Sequence, residues 1–88
     1  MKIMKPAKAG TFESNDIYVM VMPNEGNGIE LELESIVMQQ FGDEIKMVIM
    51  DTLKELEIED VIIRAQDKGA LNYTIKARVE TAIRRGCE

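Results

Sequence analysis

The sequence predicts an α+β fold, a two-layer ββαβα sandwich in which a three-stranded sheet carries two helices on one face. Two apolar runs rich in β-branched residues, at 17–22 and 61–65, are typical of strands. Two longer segments carry apolar residues at spacings of three and four, as helices do. A chain of 88 residues is long enough for one hydrophobic core, so residues 1–88 are interpreted as a single domain.

The first two predicted strands are separated by a turn signal. Residues 17–22 are apolar at every position, which favours a central strand covered on both faces. Residues 23–28 are dense in turn formers, and residues 29–34 then alternate between apolar residues and glutamate. We therefore expect a hairpin, with a solvent-facing glutamate row on its second strand. The motif Gly26-Asn27-Gly28 lacks the lysine and helix of a phosphate loop and is interpreted as the hairpin turn.

Helical periodicity begins near Ser35, a candidate N-cap, and runs in phase through Gly42, so one long helix is expected there. The stripe comprises Val37, Phe41, Ile45, Val48, Ile49, Leu53 and Leu56. After the third strand and a turn at residues 67–69, a second stripe comprises Leu71, Ile75, Val79 and Ile83. A right-handed crossover makes the third strand parallel to the second, and a central first strand favours the sheet order 2-1-3.

Composition excludes several classes of function. Acidic residues outnumber basic ones by 16 to 11, for a net charge of -5, which disfavours nucleic acid and anionic membrane as partners. The absence of histidine removes histidine-activated nucleophiles and histidine metal sites, so we expect no metal and no catalytic side chain. The single cysteine, Cys87, forms no intrachain disulfide, and no apolar run reaches membrane-span length; a cytoplasmic location is expected.

Ser14 is the main candidate for a chemically special residue. It lies in a small, polar stretch, AGTFESND at residues 9–16, just ahead of the first strand. The chemistry of the residues leaves two interpretations open: a turn residue that hydrogen-bonds nearby backbone, or an exposed hydroxyl offered to a modifying enzyme. In the second case Ser14 should be exposed on a mobile segment, outside the packed sheet and helices. Thr11, the nearest other hydroxyl, is the poorer nucleophile because it is β-branched.

The segments AGTFESND, QQFG at 39–42 and DKGAL at 67–71 resemble the acyl carrier protein (gamma subunit) of bacterial citrate lyase. The resemblance implies that Ser14, on an N-terminal segment 1–16, is esterified through phosphate to phosphoribosyl-dephospho-CoA, whose thiol carries acetyl or citryl. It implies loading by a prosthetic-group transferase and a hetero-oligomer with the alpha subunit (citrate CoA-transferase) and the beta subunit (citryl lyase), which convert citrate to acetate and oxaloacetate in citrate fermentation. The family often has a second serine after the modified one; here that position is Asn15.

Several other positions keep two interpretations. Lys2, Lys5 and Lys8 form a solvated tail or screen cofactor phosphates near Ser14. Met20 and Met22 pack in the core unless the helices cover only the other face of the sheet; in that case they mark a contact for the larger subunits.

Three further expectations concern chemistry and function. Cys87 is expected in a fraying tail, where it is a poor acyl-bearing thiol. Asp67 or a neighbour is expected to cap the last helix, and any further role of the turn Lys68-Gly69-Ala70 is open. The alternatives to a carrier are a non-covalent α+β interaction module without a prosthetic group and, less favoured, an enzyme with paired carboxylates.

Overall fold

The computed structural model describes residues 1–88 and contains four strands and two helices. They are β1 (Ala7–Gly10), β2 (Ile17–Met22), β3 (Ile29–Ser35), α1 (Met38–Glu55), β4 (Val61–Asp67) and α2 (Asn72–Cys87). The strands form one mixed sheet in the order β1-β2-β4-β3. β2 pairs antiparallel with β1 and β4, whereas β3 and β4 are parallel. The α+β class and the parallel third strand are confirmed.

The predicted three-stranded sheet is wrong by one strand, β1. Its sequence, Ala-Lys-Ala-Gly, has little intrinsic strand preference, so no pattern distinguished it from a tail. It forms because β2 has an unpaired edge, along which Ala7 to Gly10 pair with Val21 to Tyr18. Tertiary pairing, rather than local propensity, creates this strand.

The predicted order 2-1-3 and the hairpin are also wrong, because β4 lies between β2 and β3. β4 pairs with β2 from Ile62 to Asp67 along one edge and with β3 from Val61 to Asp67 along the other. The strand with glutamates on one face, β3, is the sheet edge, as its pattern indicates. The turn at 23–28 reverses the chain, but it leaves a gap that β4 fills, since β4 brings fully buried Val61 and Ile63 to the core.

Both helices pack on one face of the sheet. Inward residues alternate along β2 and β4, and they form one cluster with the buried stripe of each helix. The cluster contains Ile17, Val19, Val21, Ile45, Ile49, Leu53, Val61, Ile63, Ile75, Val79 and Ile83, among others. α1 continues through Gly42 as predicted. Ser35 is not the helix cap: it ends β3, and its hydroxyl accepts from the Val37 N–H one residue before α1 begins.

The two chain ends are held together, contrary to the expected tails. Ile3 is buried, and the backbone N–H groups of Met4 and Lys5 donate to the Gly86 carbonyl near the end of α2. Cys87 belongs to α2 and packs, half-buried, against the core. The N-terminal residues and the end of α2 therefore stabilise each other. Neither helix combines the length and apolar character needed to cross a membrane.

Candidate functional site

Ser14 lies in the loop between β1 and β2, residues 11–16, which we call the serine loop. It is exposed, in a turn outside every strand and helix, as the sequence predicted for a modifiable hydroxyl. The hydrogen bonds of the loop engage Thr11, Asn15 and Asp16 and leave the Ser14 hydroxyl without a partner in the chain. The Ser14 oxygen is thus open to another molecule.

A glycine and a threonine set the path of the serine loop. Gly10 ends β1 with φ 91, and a Cβ at this position would collide with the Ile17 carbonyl, so only glycine fits. The Thr11 hydroxyl donates to Asp16 Oδ2 at 2.8 Å and accepts from the Glu13 N–H at 3.2 Å. Thr11 therefore closes the base of the loop, a structural use that leaves Ser14 as the free hydroxyl.

Asn15, the residue after Ser14, holds the serine loop in place through its backbone. Its φ of 65 lies in the left-handed region, which asparagine tolerates better than most residues and which explains its presence at this position. Its N–H donates to the Lys68 carbonyl at 2.8 Å, and the Lys68 N–H returns a bond of 2.9 Å to the Asp16 carbonyl. Two reciprocal backbone bonds hold the serine loop against residues 67–70, which we call the anchor turn, so the loop is not the mobile segment expected from the sequence.

The anchor turn is built on a buried carboxylate. Asp67 is 2% exposed and accepts hydrogen bonds from the Ser35 hydroxyl and from the N–H groups of Gly69 and Ala70, at 2.8 to 3.1 Å. A buried carboxylate with three donors is well compensated for its loss of water. The turn Lys68-Gly69-Ala70 therefore has a definite role, which the sequence left open: it positions the serine loop.

Asp16 connects the serine loop to α2. Its side chain is 13% exposed, and both of its oxygens accept from Arg78, at 3.0 Å from Nε and 2.8 Å from Nη2. This two-pronged pairing lowers the pKa of Asp16 from 3.8 to about 2, with smaller contributions from Thr11 and the Ile17 N–H, against the opposing effect of desolvation. It also raises the pKa of Arg78. Asp16 is thus committed to holding the loop.

Sequence reasoning missed two positioning residues, Arg78 and Asp67. Arg78 is 62 positions from its partner, and no local pattern connects the two. Asp67 was considered only as a cap for the last helix, but it bonds the turn before α2 instead. The signal for Asp67 was available, because an aspartate followed by Lys-Gly commonly bonds backbone two or three residues ahead.

An apolar groove opens beside the anchor turn, between the first turns of α1 and α2. It has a volume of about 430 Å³. The lining residues are Val37, Phe41, Glu44, Ile45, Gly69, Ala70, Leu71, Asn72 and Tyr73. Phe41 and Leu71 belong to the apolar stripes predicted from the sequence, yet they are 51% and 58% exposed. The stripes therefore extend past the core at this end and leave an apolar surface uncovered.

The face of the sheet opposite the helices, the outer face, is bare. Tyr18, Met20 and Met22 lie half-buried along β2, and the exposed Phe12 ring stacks on Tyr18 with centroids 4.4 Å apart. Register places Arg64 between Met20 and Glu32, where it forms an ion pair of 3.0 Å with that glutamate. The methionines thus share a face with Arg64 and the glutamate row.

The predicted basic zone near Ser14 is not gathered around it. Lys2 pairs with Glu25 at 2.9 Å, next to the C-terminal end of β2, whereas Ser14 precedes the N-terminal end of the same strand. Lys8 stands opposite Met20 on the edge strand β1. Lys68, in the anchor turn, is the lysine whose backbone bonds directly to the serine loop.

Comparison with known proteins defines the class first. The family model ACP, described as malonate decarboxylase delta subunit (MdcD), matches residues 4–86. The fold is also similar to a chain in the crystal structure of a Pseudomonas malonate decarboxylase hetero-tetramer in complex with malonate, with a TM-score of 0.78 at 16% identity over 97% of this chain and 91% of that one. The fold and the serine loop thus place the chain among carrier proteins of the α+β type.

Curated relatives identify the particular family. The chain is 48% identical over its full length to the citrate lyase acyl carrier protein of Vibrio cholerae, covering 90% of that protein. It is 52% identical to the one from Lactiplantibacillus plantarum and 50% identical to the one from Clostridium perfringens, covering 91% and 87% of them. The chain belongs to the citrate lyase acyl carrier protein family.

Membership of an acyl carrier family implies a covalently attached prosthetic group, and the residues at the serine loop suit one. Ser14 offers an exposed, unbonded hydroxyl. Both helices begin at this end of the sheet, and neither has an acidic residue in its first turn, so their partial positive charge favours a nearby phosphate. The negative charge of Asp16 is compensated by Arg78. The donor set and the local charge are therefore compatible with a phosphate ester at Ser14.

Proposed function

We propose that this chain is the acyl carrier subunit of a citrate lyase and that Ser14 is esterified to phosphoribosyl-dephospho-CoA. Residues 1–88 act as one carrier domain. The observation that carries the proposal is the contrast within the serine loop: Thr11, Asn15 and Asp16 are all hydrogen-bonded, whereas Ser14 alone presents an exposed hydroxyl without a partner. Family membership supports it, because the relatives are named citrate lyase acyl carrier proteins.

The chain positions the prosthetic group, and the group and the partner subunits supply the chemistry. When bound, the group supplies the thiol that carries acetyl or citryl as a thioester. The chain contains no histidine, and Asp16, the acid of the loop that is hydrogen-bonded to the fold, is paired with Arg78. The alpha subunit would exchange the carried acetyl for citryl with release of acetate, and the beta subunit would cleave citryl to oxaloacetate and leave acetyl on the carrier.

The hydrogen bonds of the serine loop indicate how such a carrier works. Bonds on both sides of Ser14, at Thr11 and Asn15, hold the attachment point still. Movement between partner active sites is therefore a property of the attached arm rather than of the loop. A fixed attachment point and a flexible arm hold the thioester at high effective concentration near two active sites, which favours transfer without release.

The outer face provides a surface for the larger subunits. It combines an apolar strip of Phe12, Tyr18, Met20 and Met22 with the acidic edge strand β3. Apolar surface supplies contact area, and the acidic edge favours a basic partner and rapid encounter. The helices cover only the opposite face, which is the condition under which Met20 and Met22 were expected to mark such a contact.

The experiment is the intact mass of the chain purified from its native host, followed by mapping of any added group to the peptide containing residues 9–16. We expect one phosphoribosyl-dephospho-CoA increment on Ser14. The variant Ser14→Ala should lose the whole increment, because no other exposed hydroxyl in the loop is free. Its thermal midpoint should stay within about 2 °C of the parent, since an exposed, unbonded side chain contributes little to stability.

Thr11→Val is the matched control. It removes a second hydroxyl from the same loop, yet it should retain the increment while losing the bond to Asp16. An unmodified Ser14 in native material would contradict the proposal and leave a non-covalent interaction module as the function. An increment mapped to Thr11 would also contradict it.

A further inference from the structure

The α1–α2 groove beside the serine loop is bordered by apolar side chains that the core leaves uncovered. Its walls are the exposed ends of the two apolar helix stripes, Phe41 and Leu71, together with the exposed ring of Tyr73. Burying such side chains would stabilise the chain by about 1.5 to 3 kcal/mol each, so their joint exposure around one groove indicates a ligand. The volume of about 430 Å³ is in the range of small-molecule sites.

The groove lies next to Ser14. Gly69 is part of its lining, and a Cβ on Gly69 would lie 3.7 Å from the Asn15 side-chain oxygen. Asn15 follows Ser14 directly, so the attachment point is one Cα step, ~3.8 Å, from a residue that borders the groove wall. The two backbone bonds between Asn15, Asp16 and Lys68 fix this arrangement. Any group on Ser14 longer than a few bonds can reach the groove.

We propose that this groove is a resting site for the pantetheine part of the arm on Ser14, an inference that rests on the proposed function. The lining combines six apolar side chains with Asn72 and Glu44, which suits a chain of methylene and methyl groups interrupted by amides. The phosphate-bearing part of the arm stays outside, near the helix N-termini and away from Glu44. The arm thus alternates between a docked state on its own carrier and an extended state at a partner subunit.

Docking of the arm in the groove is also consistent with a serine loop that is held in place. A tethered ligand docks with little loss of translational freedom, so a shallow groove is sufficient. A rigid attachment point keeps the arm in register with the groove, whereas a mobile loop would spread its positions. The bonds from Asp67, Lys68 and Arg78 therefore serve docking as well as attachment.

The test measures the reactivity of the arm thiol in the full-length loaded chain with a small aromatic disulfide, in a Cys87→Ser background that leaves one thiol. Free dephospho-CoA under the same conditions is the reference. We expect the carrier thiol to react about fivefold more slowly than the reference, which corresponds to ~1 kcal/mol of docking. Leu71→Gln should restore the reference rate, because it places an amide in the groove wall.

Met47→Gln is the control, since Met47 is a 62% exposed apolar residue of α1 outside the groove. It should keep the slow rate. A second readout is NMR contact between the arm's paired methyl groups and the Ile45 or Leu71 methyl groups, seen only in the loaded chain. Circular dichroism confirms that each variant is folded.

The outcomes separate this inference from the proposed function. If native material carries no group on Ser14, the proposed function fails. If Ser14 is loaded but its thiol reacts as fast as free dephospho-CoA, the carrier function stands and the docking site is overturned. Slow reaction that Leu71→Gln leaves unchanged overturns the groove as the site, as does a groove whose NMR signals change only when partner subunits are added.

Discussion

The two ends of the sheet carry loops of similar length that are held in different ways. At one end, the serine loop is bonded directly to two other parts of the fold, the anchor turn through Lys68 and α2 through Arg78, and Asp67 in turn joins the anchor turn to the end of β3. At the other end, residues 23–28 are held mostly by themselves, with Asn24 bonding to Gly28. Their outside contacts lie at Gly28, whose N–H donates to Asp60 and whose carbonyl accepts from the Val61 N–H, and at Glu25, which pairs with the exposed Lys2.

The difference shows where position matters in this molecule. A connection that only reverses the chain can rely on local turn chemistry, because small displacements of its tip have no consequence. The anchor turn has a buried carboxylate and the serine loop a two-pronged ion pair with α2, and both cost desolvation unless their geometry is well satisfied. Such bonds indicate that this end holds the backbone on both sides of Ser14 in a defined place. Three matched pairs of substitutions test the contrast.

The largest effect is expected from Gly10→Ala compared with Gly26→Ala. Both glycines have positive φ, 91 and 79, so each alanine carries the cost of the left-handed region, about 1 to 2 kcal/mol. Only at Gly10 does the added Cβ collide with backbone, at the Ile17 carbonyl, whereas Gly26 faces open space. Gly10→Ala should lower the free energy of unfolding by about 4 kcal/mol and Gly26→Ala by about 1, measured by urea denaturation. Equal losses would show that the close approach at Gly10 is unimportant.

The second pair compares the two aspartates that bond to loop backbone. Asp67→Ala leaves the Ser35 hydroxyl and two N–H groups without their acceptor in a buried site, so a loss of about 3 kcal/mol is expected. Asp60→Ala removes one partly buried bond, to the Gly28 N–H, and should cost about 1 kcal/mol. Chemical denaturation gives both values. Asp67→Ala should also slow loading of Ser14 by the transferase, and unchanged loading would contradict the positioning role of the anchor turn.

The smallest effect concerns pH. The pKa of Asp16 in the folded chain is about 2, below its ordinary 3.8, because of Arg78, so this pair contributes stability above pH 4. The contribution, about 2 kcal/mol at most, is lost as the pH falls from about 4 to about 2. Asp16→Asn should flatten the stability profile in this window. The exposed pair of Lys2 and Glu25 is the control: Lys2→Met should cost less than ~0.5 kcal/mol and leave the window unchanged.

Much of the architecture could be predicted because it depends on short-range periodicity. The alternation in β3 marks an edge strand, and the four-residue spacing from Ile45 to Leu53 marks the buried side of α1. β1 could not be predicted, because Ala-Lys-Ala-Gly is a strand only when β2 lies beside it. The place of β4 between β2 and β3 depends on packing of the whole sheet, since a turn signal gives direction but not adjacency.

The candidate site could likewise be predicted only in part from the sequence. Ser14 was identified from its sequence segment, and its exposure follows from small, polar neighbours that cannot form a core. The partners that hold its loop, Arg78 above all, lie far along the chain, and no period or motif connects them. The groove beside it comes from two stripe residues, Phe41 and Leu71, that the stripes alone assigned to the core.

The sequence by itself determined the fold class, the helix faces, the edge strand, the family and the candidate serine, because each of these depends on residue type or on spacing within one segment. Only the tertiary structure decided the additional strand β1, the strand order, the hydrogen bonds that hold the serine loop and the groove next to it. These features bring together residues that are up to 62 positions apart, as in the pair of Asp16 and Arg78. The physical reason is that strand pairing and buried polar contacts are settled by the whole core folding together, with the competing pairings of each segment excluded only at that stage.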